Sequence, residues 1–211
     1  MMHIEFLVED SSGKKFLELI IPKILDETVS WRVHGYKGIG RIPSNLKGKA
    51  DPAKRIILDQ LPRLLAGYGK TPHVDAVVVV VDADVRNCVD FLTELKVMAG
   101  SIKTPRHVLF RLAIEEMEAW YFGDSAATLA AYPNTNRAIL KSYVQDSVCG
   151  TWETLADATY PGGAERINAQ GWPAAGVLKH EWAEKITPHM DPEANASPSF
   201  RKFRDGVRAL T

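Results

Sequence analysis

The chain has 211 residues and 45% hydrophobic content, enough to bury a core in one domain or in one domain with an appendage. Its 26 basic and 26 acidic residues balance, which excludes a global charge preference for nucleic acid or membrane, so any basic surface must be local. The two cysteines fit no zinc spacing or disulfide framework, no apolar run approaches the roughly 18 residues of a membrane span, and no signal-peptide layout is present. We therefore expect a soluble, cytoplasmic protein with no membrane partner.

The first third of the sequence alternates strand-like and helix-like patterns. Ser11 or Ser12 is the expected N-cap of the first helix, and Asp51 followed by Pro52 marks the start of the second. Glycines and basic residues between them indicate a loop. The predicted elements are a strand at 3–8, a helix at 11–25, a strand at 29–36, a loop at 37–49 and a helix at 51–69.

A run of five valines, 77–81, then ends in the sequence DAD. Valine is β-branched, and an unbroken apolar run is typical of a strand that is buried on both faces of a parallel sheet. A helix at about 87–99 and a strand at 107–114 continue the alternation, which predicts an α/β fold with a mostly parallel sheet flanked by helices. After residue 124 only helical pieces follow. We interpret 1–124 as an α/β core and 125–211 as a helical appendage packed on it.

Acidic residues follow three of the predicted strands. Glu9 follows the first, Asp82 and Asp84 follow the valine strand, and Glu115, Glu116 and Glu118 follow the last. If these strands are neighbours, all six carboxylates lie at the edge where open α/β sheets bind ligands, and Asp82 and Asp84 point the same way if the strand stays extended. Such oxygen ligands suit Mg²⁺ or Mn²⁺, and two ions about 4 Å apart would stabilise the attacking and leaving oxygens of a phosphodiester displacement.

Each of these features also has a purely structural interpretation. Asp82 and Asp84 could form a turn and cap the next helix, and Glu9 with Asp10 could cap the first one. The three glutamates could occupy the first turn of a helix, near the positive end of its dipole. The basic residues of the loop could bind phosphate or be solvated; they are Lys37, Arg41, Lys47 and Lys49.

Several stretches also carry a resemblance to known proteins. They include IEFLVEDSSGKKFLELIIPKIL, VVVVVDADVRNC, RLAIEEMEAWYFGD and HMDPEANASPSFRKFRDGVRAL. A Glu after the first strand, a DxD after a later one and an ExE after the next resemble the TOPRIM fold of OLD-type (overcoming lysogenization defect) nucleases. Over nearly its full length the chain resembles the bacterial family known as domain of unknown function 4276, which is regarded as TOPRIM-like.

The resemblance implies metal-dependent hydrolysis of nucleic-acid phosphodiesters beside an ATPase partner in phage defence. We expect Mg²⁺ or Mn²⁺ as the metal, and DNA in preference to RNA as the substrate. It implies that Glu9 is a metal ligand or general base, that Asp82 and Asp84 bind one ion, and that Glu116 and Glu118 contribute to a second. Asp10 departs from TOPRIM proteins, which often have Gly there, and could add a ligand or crowd the loop.

Two other classes of function compete with a nuclease. One is a non-catalytic module that binds an ATPase. The other is a phosphatase of the haloacid dehalogenase type, in which the first Asp of a DxD is a nucleophile. That class favours Thr or Val where this chain has Arg86. The sequence leaves the oligomeric state open.

Overall fold

The computed structural model describes residues 2–46 and 51–211. Four parallel strands form its sheet, in the order β2, β1, β3, β4. The α/β class is therefore confirmed, and each strand lies within one residue of its predicted bounds at either end. The strands are β1 His3–Val8, β2 Ser30–Gly35, β3 Ala76–Asp82 and β4 His107–Ala113.

Helices cover both faces of this sheet. Short 3₁₀ turns at Ile21–Lys23, Pro52–Lys54 and Thr187–His189 join or extend some of them. Within the described residues, no helix is both long and apolar enough to cross a bilayer. The helices are α1 Ser11–Ile20, α2 Ile57–Tyr68, α3 Cys88–Gly100, α4 Ala119–Phe122, α5 Ser125–Ala131, α6 Arg137–Ser142, α7 Thr151–Thr159, α8 Gly163–Asn168, α9 Trp172–Ile186 and α10 Pro198–Arg208.

The valine run explains the layered core. Successive side chains of β3 alternate between faces, so Val78 and Val80 join one apolar cluster while Val77, Val79 and Val81 join the other. The first cluster includes α1 and the helices that follow β4, and the second includes α2 and α3. Because both faces are covered, every position of the run favours an apolar residue.

Two helix starts differ from the sequence prediction, whereas α3 begins close to its predicted position. The N-cap of α1 is Asp10, not Ser11 or Ser12, since the Asp10 carboxylate accepts a 2.7 Å hydrogen bond from the Gly13 N–H. The long helix expected from Asp51 begins only at Ile57, because Arg55 takes a left-handed conformation with φ of 52°. Asn87 caps α3, which excludes Asp84 from that role.

The helices that follow β4 pack on the sheet through aromatic side chains. Trp120 stacks on Phe203 at 5.2 Å between ring centroids and meets Phe200 edge to face at 5.6 Å. Phe203 is fully buried on α10. The division into a core and an appendage at residue 124 stays a prediction.

A buried polar network fixes the segment that leads into α10. Asp146 accepts hydrogen bonds from the Ser197 hydroxyl at 2.7 Å and from the Ser199 N–H at 2.6 Å, and the Ser199 hydroxyl accepts one from the Trp120 indole at 2.8 Å. Asn195 donates to the Trp120 carbonyl at 2.8 Å. The ANASPSF stretch, which contributes to the family resemblance, therefore holds α4 and α10 together.

Candidate functional site

The sheet topology brings the acidic strand ends together. Strands β1, β3 and β4 are successive neighbours, and all run in the same direction, so Glu9, Asp82 and the glutamates after β4 lie at one edge. The adjacency assumed from the sequence is therefore confirmed. A small cleft at this edge is lined by Glu9, Asp10, Asp82, Glu118 and Lys179 among others.

Glu9 is a half-buried carboxylate with an unpaired oxygen. Its Oε2 atom is buried and has no hydrogen-bond partner, which is unusual for a buried polar atom. Burial, together with the charges of Asp84 and Asp10, raises the pKa of Glu9 to about 7. The neighbouring negative charges indicate a site that would be stabilised by a cation.

Asp82 and Asp84 differ in their surroundings. Asp82 is the last residue of β3, and burial with the charges of Glu9 and Glu118 raises its pKa. Asp84 is exposed, and its backbone is in the left-handed region with φ of 47°, so the extended strand geometry ends before this residue. Its N–H donates to the Glu115 carbonyl at 2.9 Å, in an isolated antiparallel bridge. The two side chains do not follow strand alternation. The Asp84 charge nevertheless raises the pKa of Glu9, and the Glu9 charge raises the pKa of Asp82.

Glu115 has a structural role at the start of α7. Its carboxylate accepts hydrogen bonds from the N–H groups of Cys149, Gly150 and Thr151 at 2.8 to 3.1 Å, and from the Thr151 hydroxyl. Burial raises the pKa of Glu115, but the Thr151 hydroxyl and the backbone donors outweigh it and the pKa falls below its usual value. A carboxylate with this many donors caps the helix N-terminus, where the dipole is positive.

Glu116 and Glu118 converge on a lysine. The Lys179 Nζ atom lies 2.9 Å from Glu116 Oε1 and 3.4 Å from Glu118 Oε2. Glu116 Oε2 also accepts from the Trp152 N–H at 3.1 Å. Burial raises the pKa of Glu118 to about 7, with Lys179 opposing the rise and Glu116 adding to it. Thus two glutamates expected to bind a second metal share an ammonium group in this structure.

Lys179 at this edge was not predicted from the sequence. Its neighbours on α9 include Leu178, Trp182 and Ala183, which are buried against the core. The signal in the sequence was a lysine within the apolar face of a helix, where a charged side chain needs a partner. Only the fold shows that this partner lies more than sixty residues earlier in the chain.

Asp10, where the chain departs from the TOPRIM pattern, caps the N-terminus of α1 with both of its carboxylate oxygens. One carboxylate oxygen accepts from the Gly13 N–H and the other from the Ser12 hydroxyl at 2.6 Å. Gly13 is needed here because a β-carbon would come within 2.6 Å of the Val8 side chain. Asp10 therefore sets the path of the chain from β1 into α1 and adds negative charge to the cleft.

The donors fit a hard divalent cation in their chemistry. They are carboxylates, and one oxygen of Glu9 is buried without a hydrogen-bond partner. Among residues 2–46 and 51–211, however, no three Asp, Glu, His or Cys side chains are arranged so that they could hold a metal ion as they stand. A metal at this edge would require Glu9 and Asp82 to adjust their side chains around it.

Part of the predicted basic loop lies at the same edge. The Gly38 N–H donates to the Glu9 carbonyl at 3.0 Å, and the Arg41 N–H donates to Asp59 at 3.0 Å. The side chains of Lys37 and Arg41 are exposed. Lys47 and Lys49 lie outside the described residues.

Comparisons with known proteins identify the family. Neither the curated proteins nor the solved structures gave a match to this sequence. A family model described as domain of unknown function (DUF4276) matches residues 8–208. The match includes the acidic edge, Lys179 and the segment that anchors α10, and the chain belongs to this family.

Proposed function

We propose that this protein is a metal-dependent, TOPRIM-type nuclease that hydrolyses phosphodiester bonds of nucleic acid. The observation that carries the proposal is the buried, unpaired oxygen of Glu9 beside the raised-pKa carboxylate of Asp82. A fold gains nothing from burying repelling carboxylates, so their retention favours a ligand that neutralises them. Mg²⁺ or Mn²⁺ satisfies this requirement with oxygen ligands.

Glu9, Asp82 and Asp84 would hold the ion in this proposal. Such an ion, when bound, polarises a phosphodiester and lowers the pKa of a coordinated water. Glu9 and Asp82 are fixed by the ends of adjacent strands, whereas Asp84 is exposed and lines a neighbouring hollow with Glu115 and Glu116. Rigid strand ends favour a constant distance between the first two ligands.

The chain's own cations would position the substrate. The exposed side chains of Lys37 and Arg41 lie in a loop bonded to Glu9, so a phosphate backbone that crosses the edge would meet them. We propose DNA as the substrate in preference to RNA. We also propose an ATPase as partner in phage defence, which follows from the resemblance to OLD-type nucleases. Glu116 and Glu118 would hold Lys179 in place, and the Lys179 ammonium would face the same substrate.

A non-catalytic module that binds an ATPase is the second candidate. The ion pairs of Lys179 favour it, since they neutralise part of the acidic edge without a metal. A module of this kind should keep its binding when Asp82 is altered, while a nuclease should lose its chemistry.

Cleavage of plasmid and single-stranded DNA with Mg²⁺ or Mn²⁺ tests the proposal. We expect cleavage by the wild-type protein, loss of at least about a hundredfold in Asp82→Asn because a metal ligand is removed, and full activity in the exposed control Glu94→Gln. Thermal melts establish that each variant is folded. Equal cleavage by Asp82→Asn and wild type would overturn the metal assignment, and cleavage of a small phosphomonoester alone would favour a phosphatase.

A further inference from the structure

Lys179 is held inside the acidic edge by the helical part of the chain. Helix α9 packs Leu178, Trp182 and Ile186 into the core, which fixes the position of the helix. The Lys179 side chain is only 18% exposed, and it lines the same cleft as Glu9 and Asp82. A lysine buried to this extent has a defined place, unlike the mobile lysines of a protein surface.

Carboxylates surround this lysine. Burial lowers the pKa of Lys179, but Glu118, Glu116 and Asp82 together raise it above its usual value. The contacts of Lys179 at 2.9 Å with Glu116 and 3.4 Å with Glu118 are those of a close ion pair.

This arrangement conflicts with a second metal ion between Glu116 and Glu118. The ammonium group already contacts both carboxylates, and the other Glu116 oxygen accepts from the Trp152 N–H. A divalent ion at the same place would meet a like charge at close range in a poorly solvated cleft, where repulsion is weakly screened. The Lys179 charge also acts on Glu9 and Asp82, but Glu9 forms no close ion pair with it, and the Glu9 Oε2 atom is buried without a hydrogen-bond partner.

We propose that Lys179 takes the place of a second metal, so that the site binds a single divalent ion at Glu9 and Asp82 and presents the Lys179 ammonium to the substrate phosphate. This inference rests on the proposed function and deepens it. The ammonium has fixed charge and three donors, which suit a phosphate oxygen. The helical region thereby contributes a residue that contacts substrate.

The number of bound Mn²⁺ ions per chain tests the inference without an activity assay. Free Mn²⁺ is counted by electron paramagnetic resonance during titration of the wild type, Lys179→Met, Lys179→Arg and the control Lys185→Met. Lys185 lies on the same helix but is exposed, and it pairs with Glu181. We expect a single ion in the wild type, in Lys179→Arg and in the control, and a second ion in Lys179→Met, because Glu116 and Glu118 become free to bind it.

Two ions in the wild type, or no gain in a folded Lys179→Met variant, would overturn the inference and leave the proposed metal site intact. No ion in the wild type would overturn both the inference and the proposed function. Circular dichroism reports folding of each variant. If Lys179→Met does not fold, the wild-type count still decides, since two ions contradict the inference and a single ion supports it.

Discussion

Removal of the Glu9 charge should stabilise the metal-free protein at alkaline pH. Glu9 binds a proton more tightly in the folded chain than in the unfolded one, because its pKa rises from 4.5 to about 7 on folding. Its stabilising contribution is fully present below pH 4.5 and is lost as the pH rises through about 7. A shift of this size corresponds to about 3 kcal/mol of unfolding free energy, at about 1.4 kcal/mol per pKa unit.

The assay is urea denaturation of Glu9→Gln, wild type and the exposed control Glu94→Gln in EDTA, between pH 5 and pH 8.5. We expect Glu9→Gln to exceed the wild type by less than about 1 kcal/mol near pH 5 and by about 1 to 3 kcal/mol near pH 8. The control should follow the wild type throughout. A stability difference for Glu9→Gln that does not change with pH would refute the reasoning, since no titrating charge would then be involved.

Two further variants test the structural roles of glutamates. Glu115→Ala should lose about 1 to 2 kcal/mol of stability, since the donors at the start of α7 lose their acceptor. Mn²⁺ binding, measured by calorimetry, should stay unchanged. A loss of Mn²⁺ binding in a folded variant would contradict the capping role. Glu5 accepts a 2.7 Å hydrogen bond from His34, and burial raises its pKa less than His34 and His3 lower it. Its contribution is therefore present above pH 4.5 and lost in acid. Glu5→Gln should accordingly be less stable than the wild type at pH 7 by about 1 to 2 kcal/mol, with the difference shrinking below pH 4. An undiminished difference in acid denaturation would exclude the ionised Glu5 carboxylate and its hydrogen bonds as the cause.

The sheet could be predicted from the sequence because its strands carry strong local signals. The valines of β3 are β-branched and fill both faces of a covered parallel sheet, so position and burial follow from the same residues. The acidic edge followed in turn, since parallel strands end on the same side. Helix starts were less predictable where two caps compete, as at Asp10 and Ser11, or where one residue leaves the helical region, as Arg55 does.

The roles of the individual glutamates depend on contacts that are distant in sequence. Glu115 caps a helix that begins at Thr151, and Glu116 meets Lys179 from α9. No periodicity near residue 115 carries that information. From the sequence, these glutamates could be placed only in the first turn of their own helix. Glu115 instead caps another helix, α7.

The most direct test of the metal site is the anomalous difference map of a crystal grown with Mn²⁺. We expect a peak within about 2.5 Å of carboxylate oxygens of Glu9 and Asp82, and none between Glu116 and Glu118. The same map from Asp82→Asn crystals should lack the first peak. A wild-type crystal grown with Mn²⁺ that shows no peak at Glu9 and Asp82, or shows peaks only elsewhere, would contradict the assignment of this acidic edge as a metal-dependent nuclease site.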